Sequence, residues 1–241
     1  MTGHVPARAI VLAAGLGTRM RPITDSMPKP LVKIGGRAMI DRALDALKAA
    51  GVERTVVNVH HFADMMIGHL AQWGDFVTVS DERDRLLDSA GGIVKALPEL
   101  GTEPFLLLNA DSFWFDGPEP ELERLALAWD GAEMDILLML SPLESATGHN
   151  GKSDFTLDDA GRLVRATDRS TGVVYAGALI LHPRIFAGVE AEPHSLNLYF
   201  DRAIAAGRLF GVEMKGHWFT VGTPQAIDEA EIVLSRLEAG N

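Results

Sequence analysis

Apolar positions in this chain keep two rhythms that take turns. Ala9 to Ala14 (AIVLAA) is a nearly continuous apolar run, the pattern of a strand buried on both faces. It stops at Gly15 and Gly17. After a proline-rich loop, Met39, Ile40, Ala43, Leu44 and Leu47 recur at helical spacing until Gly51. Thr55 to Val59 (TVVNV) predicts the next strand. Phe62, Met65, Met66, His69, Leu70 and Trp73 form a second helical stripe, and the strand FVTV follows. A short helix from about Ser89 to Leu97 leads into PFLLLN, Pro104 to Asn109. Strands alternating with helices at this spacing predict an α/β fold with a parallel sheet covered on both faces.

The second half is less regular. Residues 134–140 (MDILLML) predict a buried strand, and DFTLDDAGRLVRA predicts a hairpin around Asp159-Ala160-Gly161. VVYAGALIL is a further strand, and helical stretches near 195–206 and 224–237 flank two short strands around 208–221. No repeat or linker interrupts the pattern, so a single domain over residues 1–241 is expected. Ligands of such sheets sit at the carboxyl ends of the strands. Three loops should meet there: the ones beginning at Gly15 and Asp81, and the one holding Asp111.

Composition sharpens this in two places. The chain has no cysteine, which removes disulfides, thiolate metal sites and a cysteine nucleophile. Its formal net charge of −11 argues against a broad nucleic-acid surface. No apolar run approaches the ~18 residues of a membrane span, so a cytoplasmic protein with no membrane partner is expected. Against that acidic background Arg19, Arg21, Lys29 and Lys33 cluster in one short stretch. Such a cluster is either solvated surface charge or a site for a small polyanion.

The loop that carries them is LAAGLGTRMRPITDSMPKPL, Leu12 to Leu31. A dinucleotide fingerprint G-x-G-x-x-G fails because residue 20 is Met20, and a Walker A loop fails at Met20 and Arg21. The GKS at 151–153 fails too, since Ala146 stands where that loop needs glycine. The physics of the stretch still suits a nucleotide. Gly15 and Gly17 let backbone N–H groups approach phosphate oxygens, Arg19 and Arg21 offer planar forks, and Lys29 is a cation stiffened between Pro28 and Pro30.

This stretch closely resembles the signature of the sugar-1-phosphate nucleotidyltransferases. LLDSAGGI (Leu86 to Ile93) is similar to that family's segment beside the nucleobase, LLLNADS to its metal-binding strand end, YAGALILHP to its sugar-side strand and GHWFTVGTP to its closing strand. GHNGKSDFTL, FLLLNADSFW and GHWFTVGT resemble most the short N-acetylmuramate-1-phosphate uridylyltransferases of cell-wall recycling. The resemblance implies a Rossmann-like, mixed but mostly parallel sheet with helices on both faces, as in nucleotide-diphospho-sugar transferases. It implies a nucleotide-binding half at about 8–115, a sugar-binding half at about 116–223 and a C-terminal helix over 224–237. The long C-terminal extensions of some relatives are missing, and a monomer is expected.

The implied reaction is attack of a sugar 1-phosphate oxygen on the α-phosphorus of UTP, releasing pyrophosphate with Mg²⁺ as the cofactor. By the same resemblance Arg19 faces the β- and γ-phosphates, Lys29 faces the α-phosphate, and Gly15 and Gly17 line the triphosphate. The backbone of Ala13 and Ala14 lies against base or ribose, Glu82 contacts the nucleobase, and Gly91 with Gly92 admits the base edge. Asp111 holds the metal. On the sugar side Arg169 grips the phosphate and Asp168 a hydroxyl. Asn150 and Lys152 are rival contacts, and Gly177 lies in the sugar-side strand. One position departs from the family pattern: Thr220 stands where a second metal-binding aspartate is usual. Either Asp111 suffices with phosphate and water, or another acid substitutes, or metal affinity is weak. His60 and His61 are adjacent strand-end residues that point apart, so a shared metal is not expected. Another sugar and base (mannose 1-phosphate with GTP, or glucose 1-phosphate with dTTP) stays open, as does a nucleotide-binding regulator without turnover.

Overall fold

The opening apolar run forms β1 (Arg8–Leu12) in the computed structural model, which describes residues 4–240. Beyond the glycine-containing loop, a hairpin of β2 (Lys33–Ile34) and β3 (Arg37–Ala38) leads into α1 (Met39–Ala49). Then β4 (Arg54–Val59), α2 (Ala63–Leu70), β5 (Val77–Asp81), α3 (Asp88–Leu100) and β6 (Phe105–Asn109) complete the predicted alternation. The short helix expected to stop at Leu97 runs on to Leu100 with Pro98 in its last turn. β1 pairs in parallel with β4 on one edge and β6 on the other, and β4 pairs in parallel with β5.

The strands after β6 make the sheet mixed. β7 (Ser112–Phe115) and α4 (Glu121–Ala128) come first, an element pair that the periodicity does not announce. They are followed by β8 (Ile136–Pro142), β9 (Ala146–Thr147), the predicted hairpin of β10 (Phe155–Leu157) and β11 (Leu163–Arg165), and β12 (Val173–Leu181). α5 (Asn197–Ala205), β13 (Leu209–Glu213), β14 (His217–Thr220) and α6 (Pro224–Ala239) complete the described chain. β12 runs antiparallel to β6, so the nine-stranded sheet continues from its parallel half into an antiparallel one. β8 joins the same sheet, antiparallel to β12 and parallel to β13.

Alternation along β1 decides which helix covers which face. Val11, with Val57 and Leu106, packs against Leu44 and Leu47 of α1, Met66 of α2 and Leu125 of α4. Ile10, with Val56 and Leu107, packs against Ile93 of α3 and Phe200 of α5. Each such fully buried side chain contributes about 1.5–3 kcal/mol. This two-sided burial explains why the parallel strands read as unbroken apolar runs.

A third cluster lies off the main sheet. β14 pairs antiparallel with β7 and parallel with β9, with Thr220 opposite Ser112. Phe113 stacks on Phe219 at 4.7 Å, and α6 lays Ala226, Ala230 and Leu234 against them. Met20 is buried in this cluster. The residue that rules out the dinucleotide fingerprint is therefore the anchor that ties the opening loop to α6. Among the described residues no helix is long and apolar enough to cross a membrane.

Candidate active site

The opening loop is held at both ends. Gly17 adopts φ 63°, in the left-handed region, and a Cβ there would lie 3.0 Å from Thr24 Cγ2 and 3.1 Å from Lys29 Cβ. Both conditions call for glycine. Thr24 Oγ1 donates to the Gly17 carbonyl at 2.8 Å, which closes the loop on itself. Lys29, in a single helical turn between Pro28 and Pro30, is buried, and its Nζ donates to Asp111 Oδ2 at 2.8 Å. Residues 82 positions apart thus meet at the carboxyl ends of β1 and β6. The Asp111 side chain keeps 38% of its surface exposed. Its backbone carbonyl accepts from Val221 N at 3.0 Å, so the closing strand is tied to the same point.

The four clustered cations separate in space. Arg19 is exposed, with its guanidinium about 3.5–3.8 Å from where a Cβ on Gly222 would sit. Arg21 pairs with Asp25 at 3.1 Å on the surface, and Lys33 is exposed in the β2–β3 hairpin. Arg19 and Lys29 therefore remain as candidates for phosphate.

Behind the loop stands a buried polar hub. Asn58 Oδ1 accepts from Ala13 N at 2.7 Å, and Asn58 Nδ2 donates to Glu82 Oε1 at 2.8 Å. The second carboxylate oxygen of Glu82 accepts from Leu87 N at 3.2 Å. Glu82 is 1% exposed, and a Cβ on Gly92 would come within 2.7 Å of its carboxylate. The nucleobase contact implied for Glu82 is corrected here. Its carboxylate is committed inward and fixes the Ala13 and Leu87 backbones, while Asn58 in front of it reaches the cavity. Gly91 is corrected likewise, because a Cβ there would meet the Glu192 carbonyl at 2.2 Å. It admits the backbone of the loop that carries Glu192.

The cavity in front of this hub has a volume of about 530 Å³ and is lined by Ala14, Gly15, Asn58, Asp88, Ser89 and Asp111, among others. It continues past Leu12, Ser89 and Asn109 into a second space of about 300 Å³. Asp154, Arg165, Tyr175 and Asn197 line that second space. The sugar-side residues expected from the sequence do not line either space. Asp168 accepts from Ser170 Oγ at 2.6 Å and Ser170 N at 2.9 Å, and these bonds lower its carboxyl pKa. Arg169 donates to the Ser153 carbonyl at 2.8 Å and to Asp154 at 3.3 Å, so it is tied to a residue that does line the second space. Asn150 Oδ1 accepts from Lys152 N at 3.1 Å, and both residues are exposed in that turn. Gly177 is where expected on β12, at φ 78°, and a Cβ there would lie 2.2 Å from Ser112 Oγ. It lets β12 bulge tightly past the residue beside Asp111.

Among the described residues no three histidine, cysteine or acidic side chains come together as a metal cluster. His60 Nδ1 donates to the Glu82 carbonyl at 2.7 Å and His61 Nε2 to the Thr24 carbonyl at 3.2 Å, so the two rings do point apart. Thr220 sits in register with Ser112, next to Asp111, and adds no charge there. What the cavity offers a cation is two carboxylates in its lining, Asp111 and Asp88. That suits a hard ion whose other ligands are phosphate oxygens and water.

Residues 9–141 match the MobA-like NTP transferase domain. The chain is 42% identical to the N-acetylmuramate alpha-1-phosphate uridylyltransferase of Caulobacter vibrioides over 239 residues, covering 96% of this chain and 98% of that protein. It is 31% identical to the enzyme of the same description from Neisseria meningitidis serogroup B, covering 93% and 96%. In fold it is similar to the inositol-1-phosphate CTP transferase of T. maritima, with a TM-score of 0.75 at 21% identity over 96% of this chain and 98% of that one. The resemblance carried by the opening loop is borne out, and the chain belongs to the MobA-like NTP transferase family as a nucleotidyltransferase.

Proposed function

We propose that this enzyme transfers the uridylyl group of UTP to N-acetylmuramate 1-phosphate, giving the UDP-sugar and pyrophosphate, as a step of cell-wall recycling in the cytoplasm. The observation that carries the reading is the Lys29–Asp111 pair at 2.8 Å, on the rim of a cavity that Ala14 and Gly15 line. The two near-full-length relatives, both described as N-acetylmuramate alpha-1-phosphate uridylyltransferases, support the choice of sugar and base.

The nucleophile, a phosphate oxygen, is already an anion, so the chain needs no general base. Its task is to bring two polyanions together and to stabilise charge as pyrophosphate leaves. The Gly15–Gly17 backbone takes the triphosphate, Arg19 the β- and γ-phosphates, and Lys29 the α-phosphate on which charge builds in the transition state. Asn58 and the Ala13–Ala14 backbone, fixed from behind by Glu82, take the base end. Asp111 would hold magnesium, which when bound neutralises phosphate charge between the two substrates. On this reading residues of about 8–115 serve the nucleotide and those of about 116–223 the sugar.

Pyrophosphate release with UTP and magnesium tests the proposal across N-acetylmuramate, N-acetylglucosamine, glucose and mannose 1-phosphates. The muramate should give the highest kcat/KM. Equal or higher rates with another of the four would discard the assigned sugar. A folded protein silent on all of them would discard the reaction.

A further inference from the structure

N-acetylmuramate differs from N-acetylglucosamine by a lactyl ether that ends in a carboxylate. The second, sugar-side space carries a cation placed for such a group. Arg165 ends β11, and its guanidinium carbon lies 4.8 Å from the ring centre of Phe155 and 5.9 Å from that of Phe200. Its Nε donates to Asp201 Oδ1 at 2.9 Å and its Nη2 to Asn197 Oδ1 at 2.9 Å. Its Nη1 makes no hydrogen bond among the described residues. The fork is held flat and aimed, with donors left over.

Other charges around the space agree. Asn197, the first residue of the nine-residue helix α5, lines the same space, so the positive end of that helix faces it. The one acid lining the space, Asp154, accepts from Arg169 at 3.3 Å and from Tyr175 N at 3.2 Å, which offsets its charge. Asp201, the acid that faces Arg165, keeps 60% of its side chain exposed, so water weakens its hold on the guanidinium. Tyr175 lines the space, and its hydroxyl is buried without a hydrogen-bond partner among the described residues. Burial, with the charge of Asp111, raises its pKa, so it adds no negative charge there.

We propose that Arg165 is the specificity residue of the acceptor site, receiving a carboxylate on the sugar and thereby selecting an acidic sugar 1-phosphate over its neutral counterpart. The inference rests on the proposed function and names the group that sets its choice of sugar. A charge-assisted fork to a carboxylate is worth enough for about 30- to 100-fold discrimination.

The test is kcat/KM with UTP for N-acetylmuramate and N-acetylglucosamine 1-phosphates, in the wild type, Arg165→Gln and Arg165→Lys. Arg165→Gln should lose about 30- to 100-fold on the muramate, chiefly through KM, and stay within about threefold on the neutral sugar. Arg165→Lys keeps the charge without the fork and should fall between. A wild type that prefers the muramate, with Arg165→Gln keeping that preference, would overturn the role of Arg165 and leave the proposed reaction standing. Equal losses on both sugars in both variants would reduce Arg165 to holding α5, and overturn the proposal. A wild type with no preference for the acid would overturn the proposal together with the assigned sugar.

Discussion

Lys29→Met is expected to lower kcat/KM by about 1,000-fold, or about 4 kcal/mol of transition-state stabilisation. The ammonium is not a flexible surface charge. Prolines flank it, its side chain is 10% exposed, and Nζ is set 2.8 Å from Asp111 at the cavity rim. A cation so placed needs no reorganisation when charge develops on the α-phosphate. Methionine keeps the apolar stem packed against Gly17 and removes only the charge. The partner left behind, Asp111, is open enough to be hydrated, so the stability cost should stay within about 1 kcal/mol. Steady-state kinetics beside thermal melting separate the two effects. A variant with near-normal turnover would take Lys29 out of the chemistry.

Asp111→Asn should cost about 100- to 1,000-fold in kcat and raise the magnesium needed for half-maximal rate by about tenfold or more. Asparagine preserves the shape, the backbone bond to Val221 N and an oxygen for Lys29. Only the negative charge goes. Thr220 contributes no second carboxylate at this point, so the closing strand should not compensate. Magnesium titrations of both proteins check this. An unchanged magnesium requirement would show that the ion is held elsewhere, with Asp88, which lines the same cavity, as the next residue to replace.

The glycine-loop end of the candidate site was legible in the sequence because its geometry is local. A buried strand, two glycines and a lysine between prolines lie within one contiguous stretch, and each residue's conformational demand can be read from its type. The parallel half of the sheet was legible for a related reason, since burial on both faces writes unbroken apolar runs. The second space was not. Asp154, Arg165, Tyr175 and Asn197 come from four separate segments, and only the antiparallel docking of β12 on β6 and the hairpin beside it draws them together. No spacing rule links Arg165 to Asn197 across 32 positions. The inward turn of Glu82 is not legible either, because its partners, Asn58 and the Leu87 N–H, meet it only in the folded interior. β7 and α4 leave little periodicity to read because they are only four and eight residues long.

Phosphorus NMR of the wild type with UTP, magnesium and N-acetylmuramate 1-phosphate tests the central claim most directly, since it follows both the bond that breaks and the bond that forms. The two substrates should disappear together while pyrophosphate and the paired resonances of one UDP-sugar diphosphate grow in equal amounts. Pyrophosphate appearing beside free UMP, with the sugar phosphate untouched, would contradict transfer and show hydrolysis instead. Unchanged spectra of all species would contradict the assigned reaction altogether.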